Sequence, residues 1–166
     1  VVILCDLNHK FNGADQTSPV LVHPRLGLGT ERVDTARRVR YPTISKIALA
    51  QEMEKEMLSE EMRLLYVAMT RAREKLILVD CLKNARSHVQ KLSALTELPV
   101  PPQVVRSAKT MGDWVLQALL CSTEAGAIHA WAGTAPAARE SAAGWRVYLH
   151  ENPAAPAAAR VREGER

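Results

Sequence analysis

Two short apolar runs bracket a long helical pattern, and that arrangement leaves the chain few architectures. The first run is "VVILCDL" (Val1–Leu7) and the second is "KLILVDCL" (Lys75–Leu82). Neither alternates polar with apolar residues, so each suits a strand buried on both faces, as in a parallel sheet. From Ile44 the spacing becomes helical. Leu49, Met53 and Met57 lie four apart, and Leu58, Met62, Leu65 and Met69 follow at intervals of four, three and four. That places an apolar stripe on one face, opposite Glu52, Glu54, Lys55 and Glu56. Ser59 is a candidate N-cap, so the pattern predicts a break near it. Strand, helix and strand together predict an α/β fold.

The rest of the chain is less regular. Residues 11–43 carry Gly13, Pro19, Pro24, Gly27, Gly29 and Pro42. This punctuation excludes a helix and predicts a long irregular stretch, with "PVLVH" as its one short strand. Connections of this length without regular structure are usually functional or inserted. Residues 84–98 read as helical, and "PVPPQ" (Pro99–Gln103) reads as a linker. "MGDWVLQALLC" predicts a short amphipathic helix, whereas residues 122–144 give no clear pattern. "WRVYLHE" (Trp145–Glu151) alternates like a half-buried strand. The tail, 152–166, has the Ala/Pro/Arg composition of a disordered segment. The chain opens without Met and inside a strand-like run, so it reads as a piece of a longer protein.

Composition narrows the class. The 166 residues are 47% hydrophobic and 24% charged, which is enough for a core. There is no run of 18 apolar residues and no export leader, so a cytoplasmic setting without a membrane is the default. Cys5, Cys81 and Cys121 are scattered, and Cys5 and Cys81 read as buried thiols inside strands. No cysteine or histidine pair stands at ligand spacing, so no metal site is expected. Net charge is +4, which suits a polyanionic partner without proving one.

The joint between helix and second strand, "EEMRLLYVAMTRAREKLILV" (Glu60–Val79), holds Arg71 and Arg73. Two readings stand side by side. Cations at a helix C-terminus complement its dipole, just as Glu60 and Glu61 suit a helix start. Alternatively, the side chains reach outward to an anion; the backbone at a helix C-terminus offers no phosphate cradle of its own.

This joint resembles motif VI of superfamily 1A helicases, the UvrD, Rep and PcrA kind. Tyr66, Val67, Ala68, Thr70, Arg71 and Ala72 match its Tyr-Val-Ala-x-Thr-Arg-Ala string. "PVLVHPRLGLG", "RVRYPT" and "MGDWVLQAL" resemble one subgroup, the AddA component of the AddAB helicase–nuclease. The resemblance implies a partial RecA-like parallel sheet, the second motor domain of a P-loop NTPase helicase, with a mainly irregular C-terminal extension. It divides the chain into that domain (1–98), a linker leading toward a nuclease domain (99–151) and the tail (152–166). It implies an ATP-dependent 3′–5′ DNA helicase and exonuclease in recombinational break repair, using ATP and Mg2+. Its partners would be single-stranded DNA, duplex ends and an AddB-type protein. Arg71 would face the γ-phosphate, with Thr70 and Arg73 beside it. Tyr66 would pack in a core or interface, while Glu61 and Arg63 would stabilise the helix surface or an interface.

The chain has no Gly-x-x-x-x-Gly-Lys-Ser/Thr, so no phosphate-cradling loop of its own. The resemblance puts the family's DNA-contacting motif V before Val1 and the nuclease carboxylates beyond Arg166. These residues alone are thus expected to bind no cofactor and to show no turnover. Two other readings remain open, an inactive truncated product and a nucleic-acid-binding module. The second rests on Arg32, Arg37, Arg38 and Arg40 in "ERVDTARRVRYP". Glu31, Asp34 and the scarcity of aromatics for base stacking stand against it.

Overall fold

The computed structural model describes residues 1–94, 100–135 and 144–150. In chain order its elements are β1 (Val2–Cys5), a 3₁₀ turn (Ala14–Thr17), β2 (Val20–His23), β3 (Gly27–Asp34), β4 (Val39–Pro42) and α1 (Ile44–Thr70). There follow β5 (Leu76–Val79), α2 (Ala85–Ser93), α3 (Pro102–Ser107), α4 (Met111–Leu120), a second 3₁₀ turn (Thr123–Ala125) and α5 (Gly126–Ala132).

The two apolar runs pair as predicted. β1 and β5 are parallel, with Val2 opposite Leu76 and Cys5 opposite Val79. The fold is α/β, a partial RecA-like sheet with helices. With only two strands in this sheet, one face stays open, and β1 alternates between half-buried and exposed residues. Ile3 is 59% exposed, which corrects the expectation of burial on both faces. For the same reason Cys5 and Cys81 are exposed, not buried. Cys121 is the buried thiol, and its burial pushes its pKa up.

The stretch read as irregular holds a second sheet. β2, β3 and β4 form an antiparallel meander, with Leu21 opposite Gly29 and Arg32 opposite Tyr41. Its glycines are strand and turn devices, not loop markers. Gly27 takes φ +88° where β2 turns into β3, a conformation a Cβ would strain. A Cβ on Gly29 would sit 2.6 Å from Lys46 Cα, so only glycine lets β3 lie this close to α1. Leu21 and Leu49 are buried between the sheet and the helix, and each stabilises the contact by about 2 kcal/mol.

α1 is one helix of 27 residues, roughly 40 Å long at 1.5 Å per residue. Thr43 starts it: its Oγ1 accepts from Lys46 N–H and donates to the Thr30 carbonyl at 2.6 Å. The predicted break at Ser59 does not occur. Ser59 is exposed, while Leu58, Leu65 and Met69 on either side of it face one apolar cluster with Leu7 and Trp114. Nothing there requires the chain to turn.

α4 joins two cores. Trp114 packs on Phe11, ring centroids 4.8 Å apart, in the cluster beneath β1 and α1. Leu119 and Leu120 face Val89 and Leu92 of α2 and Ile128 of α5. These contacts cross the expected boundary at residue 98, and the extension is more helical than its composition implies. α3 begins at Pro102, inside the run read as linker, because proline fits the first turn of a helix. Residues 144–150 form no strand, although Trp145 and Val147 turn toward the α2–α4–α5 core and reproduce the alternation. The periodicity recorded a packed face with no partner strand. The tail at 152–166 lies outside the described residues, as does the end of the helix read at 84–98. Among the described residues no helix is long and apolar enough to cross a membrane.

Candidate functional site

The helix-to-strand joint is built by the ending of α1 and the start of β5. Thr70 Oγ1 lies 2.9 Å from the Tyr66 carbonyl and 3.1 Å from that of Val67, so its one proton is directed back into the helix. The Arg71 N–H then turns to the Ala68 carbonyl at 3.4 Å, closing the last turn. α1 thereby stops with Arg71 as its C-cap. Five residues later β5 begins, where Val2 N–H donates to the Lys75 carbonyl at 2.9 Å. Arg71 therefore stands at the edge where both parallel strands start.

Arg71 and Arg73 are exposed, and among the described residues neither guanidinium has an ion-pair or hydrogen-bond partner. Arg63, about two turns earlier, differs. It grips Glu60 through two nitrogens, and this bond holds the Glu60 carboxyl below its usual range. Arg63 thus serves the helix surface, as expected. Tyr66 is 67% exposed, so it is not a core residue. Leu64, Tyr66 and Val67 form an exposed apolar flank beside Arg71.

Other polar groups are structural. His23 is buried, and its Nδ1 accepts from the N–H groups of Arg25 and Leu26. That leaves Nε2 to donate to Glu56 at 3.0 Å, and Arg25 donates to the same carboxylate at 2.8 Å. Lys46 reaches Glu31 at 2.6 Å. These two links fasten the meander to α1. At the far end of the strands burial pushes the Asp80 carboxyl above its ordinary value, with Asp6 and Asp113 adding to the effect. Among the described residues no three His, Cys, Asp or Glu side chains are placed to hold a metal ion. A groove of about 420 Å³ runs along β1 and α1, lined by Asp6, His9, Lys10, Glu61 and Ala68, but it includes neither Arg71 nor Arg73.

Comparison with known proteins places this joint. Residues 20–83 match the UvrD-like helicase C-terminal domain. This part of the chain belongs to that helicase family. The matched span runs from β2 through β5, and so takes in the meander as well as α1. The chain is also similar to the A chain of the ATP-dependent helicase/nuclease of Heliobacterium modesticaldum, 42% identical over 142 residues, which are 82% of this chain and 10% of that relative. Its counterpart from a Thermoanaerobacter species is 38% identical over 151 residues, 90% of this chain and 12% of the relative. That of Clostridium botulinum is 43% identical over 122 residues, 72% and 10% respectively. The chain spans about a tenth of the length of these curated relatives.

Proposed function

We propose that the chain forms part of the second motor domain of an ATP-driven DNA helicase–nuclease, in which Arg71 is presented to the γ-phosphate of ATP. The observation that carries this reading is the state of Arg71. It ends a rigid 27-residue helix, is exposed, and has no partner of its own among the described residues. A guanidinium is planar and permanently charged, and it matches phosphate oxygens with paired donors. During transfer the γ-phosphoryl group gathers negative charge on its oxygens, and an arginine supplied from outside is worth roughly 10³–10⁵ in rate. Thr70 fixes where the helix stops and so aims Arg71. Arg73 lies two residues on, within reach of the same anion. The exposed flank of Leu64, Tyr66 and Val67 suits packing against the nucleotide-binding domain of the parent.

In this reading ATP and Mg2+ are held mainly by the parent's other motor domain, DNA is the track, and an AddB-type protein is the partner in break repair. The 166 residues alone turn over no ATP, because they contain no Gly-x-x-x-x-Gly-Lys-Ser/Thr. The test is Arg71→Ala in the full-length parent with its partner. ATP turnover should fall about 10³-fold with DNA binding unchanged. Arg71→Lys should not restore it, because an ammonium lacks the planar fork. Turnover within a few-fold of wild type would remove Arg71 from the reaction.

A further inference from the structure

The arginines at positions 32–40 acquire a shape in the structure that the sequence did not show. β2 pairs with β3 only over residues 27–30, whereas β4 pairs over residues 31–34. The distal half of β3 and all of β4 therefore project beyond β2 as a two-stranded ribbon. Every residue from Thr35 to Pro42 is exposed, and β4 buries nothing. A lone two-stranded ribbon is marginal in water, yet this one carries four arginines and a single carboxylate, Asp34, over residues 32–42. Asp34 is occupied: its Oδ1 accepts from Ala36 and Arg37 N–H at 3.0 Å, and it lies only 4.0 Å from the Arg37 side chain. The neighbouring Glu31 is neutralised by Lys46. Arg32, Arg38 and Arg40 have no partner among the described residues.

The placement of these cations is what selects a ligand. Arg32 stands opposite Tyr41 and Arg40 opposite Val33. Because neighbouring residues of a strand point to opposite faces, Arg32 and Arg40 lie on opposite faces of the ribbon. Arg37 and Arg38 occupy the turn at its tip, where Arg38 takes φ +55°. A single strand laid on a surface meets one face and wants aromatic platforms. A duplex groove has a phosphate wall on each side, and its major groove admits a two-stranded ribbon.

We propose that the β3–β4 ribbon is a contact for the backbone of duplex DNA, Arg32 and Arg40 reaching the two walls of a groove and Arg37 and Arg38 entering it. This rests on the nucleic-acid side of the reading above and is independent of Arg71. The full 166-residue chain is titrated against a labelled 24-base-pair blunt duplex from about 20 to 200 mM salt, without nucleotide. Log affinity should fall linearly with log salt. Replacing Arg38 and Arg40 together by Gln should weaken duplex binding about tenfold at the lowest salt and reduce the slope by roughly two. Arg38→Lys with Arg40→Lys should keep most of the slope. Arg106→Gln, an exposed arginine on α3, and Arg71→Ala should both bind as wild type. No duplex binding at 20 mM salt, an unchanged slope in the double Gln variant, tighter binding of the matching single strand, or equal displacement by polyglutamate would each overturn the proposal. If Arg71→Ala leaves the parent's ATP turnover intact while the ribbon variants lose duplex binding, only the nucleotide reading fails.

Discussion

Glu56 shows how one carboxylate holds two elements together. It accepts from His23 Nε2 and from Arg25, and these two bonds hold its pKa below the ordinary 4.5. A carboxyl whose folded value is lowered contributes stability above its unfolded value and loses it as pH falls through the folded one. The Glu56 latch should therefore be complete above pH 4.5 and fade below it. Glu56→Gln should melt a few degrees lower at pH 7, and thermal melts of the two proteins should converge below pH 4.5. A gap that stays constant from pH 7 to pH 3 would show that the carboxylate charge plays no part. None of this was legible in the sequence, where His23 and Glu56 are 33 residues apart and each looks like a solvated polar group. Arg71 was legible only through the string around it. An exposed arginine ending a helix looks the same whether it complements a dipole or awaits a phosphate.

Among the elements, β1, β5 and α1 could be read because each is long or apolar enough to carry its own signal. The meander could not. Its strands β2 and β4 have four residues each, and its inward positions include His23 and Glu31, polar groups satisfied only by α1. Gly29 reads as a breaker, but it is there to let the helix approach. The expected break in α1 failed for the opposite reason: Ser59 fits a cap by type, yet the apolar stripe continues through it. This yields a sharp prediction. Ser59→Ala should leave urea-unfolding stability unchanged or raise it by about 0.5 kcal/mol, as alanine favours a helix interior. A true N-cap would lose about 1 kcal/mol. Ser59→Pro should cost about 3 kcal/mol or more by breaking the ladder.

At the scale of the whole molecule, the two sheets are both incomplete layers. Both β1 and β5 have a free edge, and Val1 and Ile3 expose apolar surface beside it. Unpaired edges of this kind recruit other chains. Sedimentation of the 18.3 kDa chain should give a mass that rises with concentration, and Ile3→Lys should shift it toward the monomer. A wild-type mass independent of concentration would refute this. The links from Lys46 to Glu31 and from Glu56 to His23 both grip the first half of α1. Arg71 sits at the opposite tip, about 40 Å from the helix start. A stiff rod clamped at one pole and charged at the other behaves as a lever, so a tug on the meander is delivered to the guanidinium as displacement, with no intervening hinge to absorb it.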